Sequence, residues 1–262
     1  MSAGPDPWAA LRRFTPARIA LGRAGAAQPT RELLDFALAH ARARDAVQMP
    51  LDAGAVEAAI AALGYETVRI ASAAPDRATY LARPDLGRRL GETSEAALAA
   101  RREASPDLAI VVADGLSSPA VSRNAAPLLA AFRPWIAAAG WRLAPVVIAT
   151  QARVALGDAV AEHLGAAAAL VLIGERPGLS APDGLGAYLT FAPRPGVTSD
   201  AGRNCLSNIR PGGMGFDQAA FRIAWLLGEA FRRRLTGVAL KDESDRLVLD
   251  GRLPRPERLS GV

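Results

Sequence analysis

The segment "LAIVVADGLSS", residues 108–118, sets the architecture of the chain. Its first six residues are apolar, Ile110, Val111 and Val112 are β-branched, and Asp114-Gly115 then breaks the run. A continuous apolar run closed by turn residues is the mark of a strand buried on both faces. The pattern returns downstream. "APVVIATQARV" (144–154), "ALVLIGERPG" (169–178) and "GAYLTFAPRPG" (186–196) read as further strands, and "GVALKD" (237–242) as a short last one. Helical segments separate them: "SPAVSRNAAPLLAAFRPWIAAAG" (118–140), which Pro127 and Pro134 are expected to bend or divide, "LGDAVAEHLGA" (156–166) and the amphipathic "FDQAAFRIAWLLGEAFRRRL" (216–235). Strands alternating with helices imply an α/β fold. The expected form is a Rossmann- or flavodoxin-like, mostly parallel sheet spanning residues 106–242.

Residues 1–105 read instead as a mainly helical region. In "TRELLDFALAHARARDAV" (30–47), Leu33, Leu34, Ala37, Leu38 and Ala41 fall at helical spacing, with Thr30 as the expected N-cap. "LDAGAVEAAIAALG" (51–64) repeats that spacing and stops at Gly64, a suitable C-cap. "YLARPDLGRRLGETSEAALAARREA" (80–104) adds another helix after a Pro-broken loop. The tail, residues 243–262, is polar and Pro-rich and is expected to be loosely ordered.

Composition narrows the class. A chain of 262 residues buries a real core and holds one domain or two. Its longest apolar run, residues 164–174, falls far short of the roughly 20 residues of a membrane span. No charged region followed by an apolar stretch opens the chain, as a secretory signal would. The single cysteine, Cys205, suits a reducing compartment, so a cytoplasmic chain is expected. The net charge is +5, and Lys241 is the only lysine. Acidic residues interleave with the arginines, and the densest cluster, Arg232-Arg233-Arg234, sits at a helix end where cations are favoured. Nucleic acid is therefore not an expected partner.

The common catalytic signatures are missing. A dinucleotide fingerprint fails at "GLGAYL" (184–189) and at "GMGFDQ" (213–218), and Lys241 has no phosphate-cradling glycine loop before it. "GLSSP" (115–119) lacks the closing glycine of a nucleophile elbow. His40 and His163 lie in separate helical segments, so no metal cluster is expected. Cys205 has no histidine near it in sequence and is a nucleophile, a small buried hydrophobe or a ligand contact. What stands out is the sheet's rim. Ligands of open α/β sheets bind outside the carboxyl ends of the strands. Three strand ends there carry Asp114-Gly115, Gln151-Ala152-Arg153 and Glu175-Arg176-Pro177-Gly178. Locally, Glu175 reads either as an ion pair with Arg176 or as a ligand contact.

Six segments together resemble one family: "FTPARIALGRAG" (14–25), "LAHARARDAV" (38–47), "YLARPDLGRRL" (80–90), "VVADGLSS" (111–118), "GERPGLS" (174–180) and "RNCLSNIRPGG" (203–213). In order and spacing they are similar to the small subunit of ethanolamine ammonia-lyase, from about residue 11 to 242. The resemblance implies an adenosylcobalamin-dependent lyase that turns ethanolamine into acetaldehyde and ammonia. It implies a large TIM-barrel subunit holding the substrate, no catalytic residue on this chain, and a hetero-oligomer with six of each subunit. Cytoplasmic placement extends, in this family, to the interior of a bacterial microcompartment. Carried over by position, the family's cobalamin contacts fall on Val154, Glu175 and Cys205. The Asp-x-His-x-x-Gly motif of mutase-type cobalamin domains is absent, because Ala161-Glu162 precede His163. Two other classes compete: a nucleotide-dependent oxidoreductase on a degenerate Rossmann fold, and a non-catalytic structural subunit.

Overall fold

The computed structural model describes residues 8–15, 17–102, 105–248 and 252–256. Its elements run α1 (Thr30–Gln48), α2 (Ala53–Ala61), β1 (Thr67–Ala71), α3 (Arg77–Ala82), α4 (Glu92–Ala99), β2 (Leu108–Ala113), α5 (Ser118–Ala139), β3 (Val146–Thr150), α6 (Leu156–Leu164), β4 (Ala168–Gly174), β5 (Leu185–Phe191), β6 (Asn204–Ile209) and α7 (Phe216–Arg233). Six strands form one mixed sheet in the order β1-β3-β2-β4-β5-β6. The pairings β1–β3, β3–β2 and β2–β4 are parallel, while β4–β5 and β5–β6 are antiparallel. The parallel part follows from sequence: β2 and β4 are apolar throughout, and β3 is apolar up to its last residue, Thr150, because helices cover both of their faces.

The two faces are distinct cores. Leu108, Ile110, Val112, Leu170 and Leu172 pack with α2, α5 and α7 on one side. Ala109, Val111, Val147 and Val171 pack with α6, and with Leu98 of α4, on the other. Phe132, Phe221 and Ile60 are fully buried in the first core. Truncating such residues costs about 3–5 kcal/mol for the aromatics.

Several expectations need correction. Residues 237–242 do not form a strand: Gly237–Ala239 is a 3-10 turn, with Gly237 at φ +83. There the Asn204 side chain binds the Gly237 amide and the Leu240 carbonyl, taking groups a strand ladder would use. Two strands were missed. β1 comes from the region read as helical and alternates buried Val68 and Ile70 with exposed Arg69 and Ala71, as an edge strand does. β6 lies within the polar loop that contains Cys205. Thr30 is the first residue of α1 rather than its cap, and α5 runs unbroken through Pro127 and Pro134. Of α1's expected apolar stripe, Leu33, Leu34 and Leu38 are exposed, and Ala46 is the helix's buried residue. The loosely ordered tail falls partly outside the described residues. Its described part includes a 3-10 turn, Ser244–Leu247, with Val248 and Leu253 packed on the first core.

The Arg232-Arg233-Arg234 cluster is mostly engaged within the chain. Arg232 and Arg233 each approach Glu229 to 2.6 Å. The Arg232 hydrogen bond, ahead of the Arg233 contacts, holds the Glu229 carboxyl below its ordinary 4.5. A carboxylate lowered in the folded state stabilises above its unfolded pKa and loses that contribution as pH falls through the folded one. Glu229→Gln should therefore lower stability near neutral pH by about 1 kcal/mol or less. The gap from wild type should close as the pH drops below about 4.5. Thermal midpoints of both chains across that window check this, and a gap independent of pH would refute it.

Candidate functional site

The carboxyl ends of β2, β3 and β4 meet on one rim, tied together by backbone. Asp114, at the end of β2, is buried, and its carboxylate accepts from the amides of Gln151 at 2.9 Å and Ala152 at 3.0 Å. The Arg77 guanidinium reaches the same carboxylate at 3.3 Å and the Gly115 carbonyl at 2.8 Å. Burial nevertheless pushes the Asp114 carboxyl upward, outweighing the backbone donors. The Leu116 amide donates to the Gly174 carbonyl at 2.9 Å, so the β2 loop lies against the end of β4. The three strand ends singled out in the sequence are thus joined in space.

Beyond the rim, the second face of β5 is only partly covered: Gly186 and Thr190 are buried, while Tyr188 is half-buried. α6 packs on β2 and β4, while α7 covers β5 and β6 from the opposite face. β5 alternates accordingly: Leu185, Ala187 and Leu189 enter the first core, while Gly186, Tyr188 and Thr190 face the other way. On β6, Cys205 stands opposite Tyr188, and both Cys205 and Ser207 are exposed. This face adjoins an open cleft of about 1270 Å³ lined by residues including Arg89, Arg153, Val154, His163 and Asp200. The cleft contains Val154 but neither Glu175 nor Cys205, which belong to the shallower sheet face beside it.

Each expected site residue has a definite place. Val154 lies in the turn between β3 and α6, half-buried against the second core, and its carbonyl accepts from the Gly157 amide at 3.0 Å. Glu175 follows the last residue of β4. Its Oε2 accepts from the Asn208 amide of β6 at 3.0 Å, which leaves Oε1 without a protein donor among the described residues. Glu175 forms no ion pair with Arg176 or any other guanidinium among the described residues, and its carboxylate instead ties the end of β4 to β6. Cys205 is an exposed free thiol 3.5 Å from the Ser207 hydroxyl, which removes the option of a buried hydrophobe. Its described neighbours include no histidine: His163 bonds the Ala159 carbonyl on α6, and His40 stacks with Phe36 on α1.

Tyr188, opposite Cys205 across the β5–β6 pairing, was not singled out in the sequence. Its phenol is pushed upward, first by burial, then by Cys205, Glu175 and Asp200. Its neighbour on β4 is Val171, whose Cγ2 lies directly beneath Gly157 of α6, one turn after Val154. Glycines shape the floor. A Cβ on Gly184 would come 2.8 Å from Glu175 Oε2, and one on Gly186 would lie 3.2 Å from Glu175 Cγ, Glu175 Oε1 and Tyr188. The Glu175 side chain therefore rests flat on β5 where any larger residue would lift it. No group of three metal-ligating side chains occurs among the described residues. A shallow face with a spare carboxylate oxygen, small hydroxyls and a thiol suits a broad ligand rimmed by uncharged amides.

The comparisons with known proteins agree with one another. A model of the ethanolamine ammonia-lyase light-chain family matches residues 5–241. The ethanolamine ammonia-lyase small subunit of Ralstonia nicotianae is 52% identical over 248 residues, covering 94% of this chain and 92% of that one. Its counterpart in Azotobacter vinelandii is 53% identical, covering 95% and 93%. That of Xanthomonas campestris is 54% identical, covering 93% and 90%. With a family match over nearly its whole length and relatives above half identity, the chain belongs to the ethanolamine ammonia-lyase light-chain family.

Proposed function

We propose that this chain is the cobalamin-binding small subunit of an ethanolamine ammonia-lyase, working only with a large subunit that holds the substrate. The observation that supports the proposal most directly is the partly open face of β5 and β6, where the Glu175 carboxylate accepts from the Asn208 amide and Cys205 stands opposite Tyr188. When bound, adenosylcobalamin supplies the radical chemistry that converts ethanolamine to acetaldehyde and ammonia. The chain's own residues bind and enclose. Glu175 Oε1 accepts from amide groups of the ligand, Val154 offers an apolar edge, and Cys205 gives a small, polarisable contact. Enclosure between two subunits keeps water from the reacting centre. The catalytic acid and base then belong to the large subunit.

Two further features support the reading. The parallel part of the sheet, β1-β3-β2-β4, with crossover helices on opposite faces, supports a Rossmann- or flavodoxin-like description that takes in β1 along with residues 106–242. Exposed Trp8, Phe14, Leu33 and Leu34 are the apolar surface expected of a subunit that is covered in its complex. No helix among the described residues is long and apolar enough to cross a membrane. Assembly as six of each subunit, in the cytoplasm or inside a microcompartment, is part of the same proposal.

The test is to co-express the chain with a large subunit and measure ammonia release from ethanolamine, with adenosylcobalamin present and absent. Activity is expected only with both subunits and the cofactor. Activity from this chain alone, or activity indifferent to cobalamin, would overturn the proposal. Glu175→Gln keeps an oxygen for the Asn208 amide and turns the spare acceptor into a donor. Loss of a hydrogen bond to a charged group should weaken cobalamin binding about tenfold or more. The KM for ethanolamine at saturating cofactor should stay unchanged. Unaltered cobalamin affinity would return Glu175 to a purely structural role.

A further inference from the structure

Resting on that reading, we propose that the Arg203–Asp158 pair is the positioning device of the cofactor face, fixing Val154 and Cys205 relative to each other. Asp158 lies in the first turn of α6, one helical turn after Val154; Arg203 lies just before β6, two residues ahead of Cys205. The two guanidinium nitrogens each meet one carboxylate oxygen at 2.6 Å, a bidentate fork. Arg203 also donates to Thr190 Oγ1 of β5 at 2.9 Å and to the Thr198 carbonyl at 3.3 Å. The side chains are 2% and 1% exposed, deeper than any other ion pair among the described residues. One guanidinium therefore holds α6, β5 and the approach to β6 together.

Stability alone does not account for this arrangement. Desolvating two charges costs several kcal/mol, and an apolar pair of similar volume usually serves as well or better. What the fork adds is direction, since planar donors facing two oxygens permit one orientation where apolar side chains slide. That matters here because α6 packs on β2 and β4 rather than on β6. Without the fork, α6, which follows directly on the turn that holds Val154, and the strand carrying Cys205 would be related through the two intervening strands β4 and β5. The side chains of Arg203 and Asp158 are themselves buried, so they act through the residues that touch the ligand.

The experiment replaces the pair by an apolar one, Arg203→Met with Asp158→Leu, in the complex with the large subunit. The thermal midpoint should stay within about 5 °C of wild type. Binding of adenosylcobalamin, measured by equilibrium dialysis, should weaken about tenfold, while the KM for ethanolamine at saturating cofactor is unchanged. Arg203→Lys keeps the charge without the fork, should lose affinity in the same direction, and carries the test if the double variant does not fold. Folded variants that bind adenosylcobalamin as wild type does would overturn the inference while leaving the proposed function intact. A wild-type complex that does not bind adenosylcobalamin would overturn the proposed function itself, and the inference with it.

Discussion

Gly174→Ala is expected to cost about 4 kcal/mol or more of folding stability, enough to leave little soluble chain. A Cβ on Gly174 would lie 2.1 Å from the Ser117 carbonyl oxygen and 2.5 Å from that of Asp114. Both are main-chain atoms, and neither can retreat. Leu116 is hydrogen-bonded to Gly174 itself, while Asp114 is fixed by the Gln151 and Ala152 amides. The approach is mutual, because a Cβ on Gly115, at φ +55, would lie 2.2 Å from the Gly174 carbonyl oxygen. Gly178→Ala is the control, since its Cβ would meet nothing nearer than the Ala181 carbonyl oxygen at 3.5 Å. Denaturant unfolding of the two variants and wild type makes the comparison. Equal midpoints for all three would show that the rim is looser than described.

Asp158→Ala alone is expected to destabilise by about 3–5 kcal/mol, because it strands a buried guanidinium. Arg203 would keep the Thr190 hydroxyl, the Thr198 carbonyl and an approach of 3.7 Å from exposed Asp200, none of which replaces a bidentate carboxylate. The double replacement described above removes both charges and should recover most of that loss. Unfolding free energies of Asp158→Leu, Arg203→Met and the double variant that combines them form a cycle that isolates the coupling. Additive losses would mean that the two residues act independently, contrary to the observed fork.

The parallel heart of the fold was legible because full burial leaves a direct trace. A strand covered on both faces has few polar positions to spare: β2 and β4 are written as unbroken apolar runs, and β3 as one that ends on Thr150. Edge strands leave weaker traces. β6 offers only Leu206 and Ile209 to the core, so its sequence looks like a polar loop until pairing with β5 is seen. α1 misled in the opposite way: its leucines keep helical spacing yet lie exposed, since spacing reports a helix without saying what covers it.

The site divides along the same line. Turn residues at the ends of β2, β3 and β4 marked the rim, and the resemblance to a known family supplied Val154, Glu175 and Cys205. Tyr188 gave no local signal, because an aromatic residue in a strand is ordinarily core. Only antiparallel pairing sets it against Cys205, and its ring is half-open where α6 packs on β2 and β4. The Arg203–Asp158 fork is likewise invisible in one dimension, since its partners lie 45 residues apart. Periodicity and burial are properties of segments and survive in the chain itself. Which polar group meets which across the sheet depends on strand order, and strand order exists only once the chain has folded.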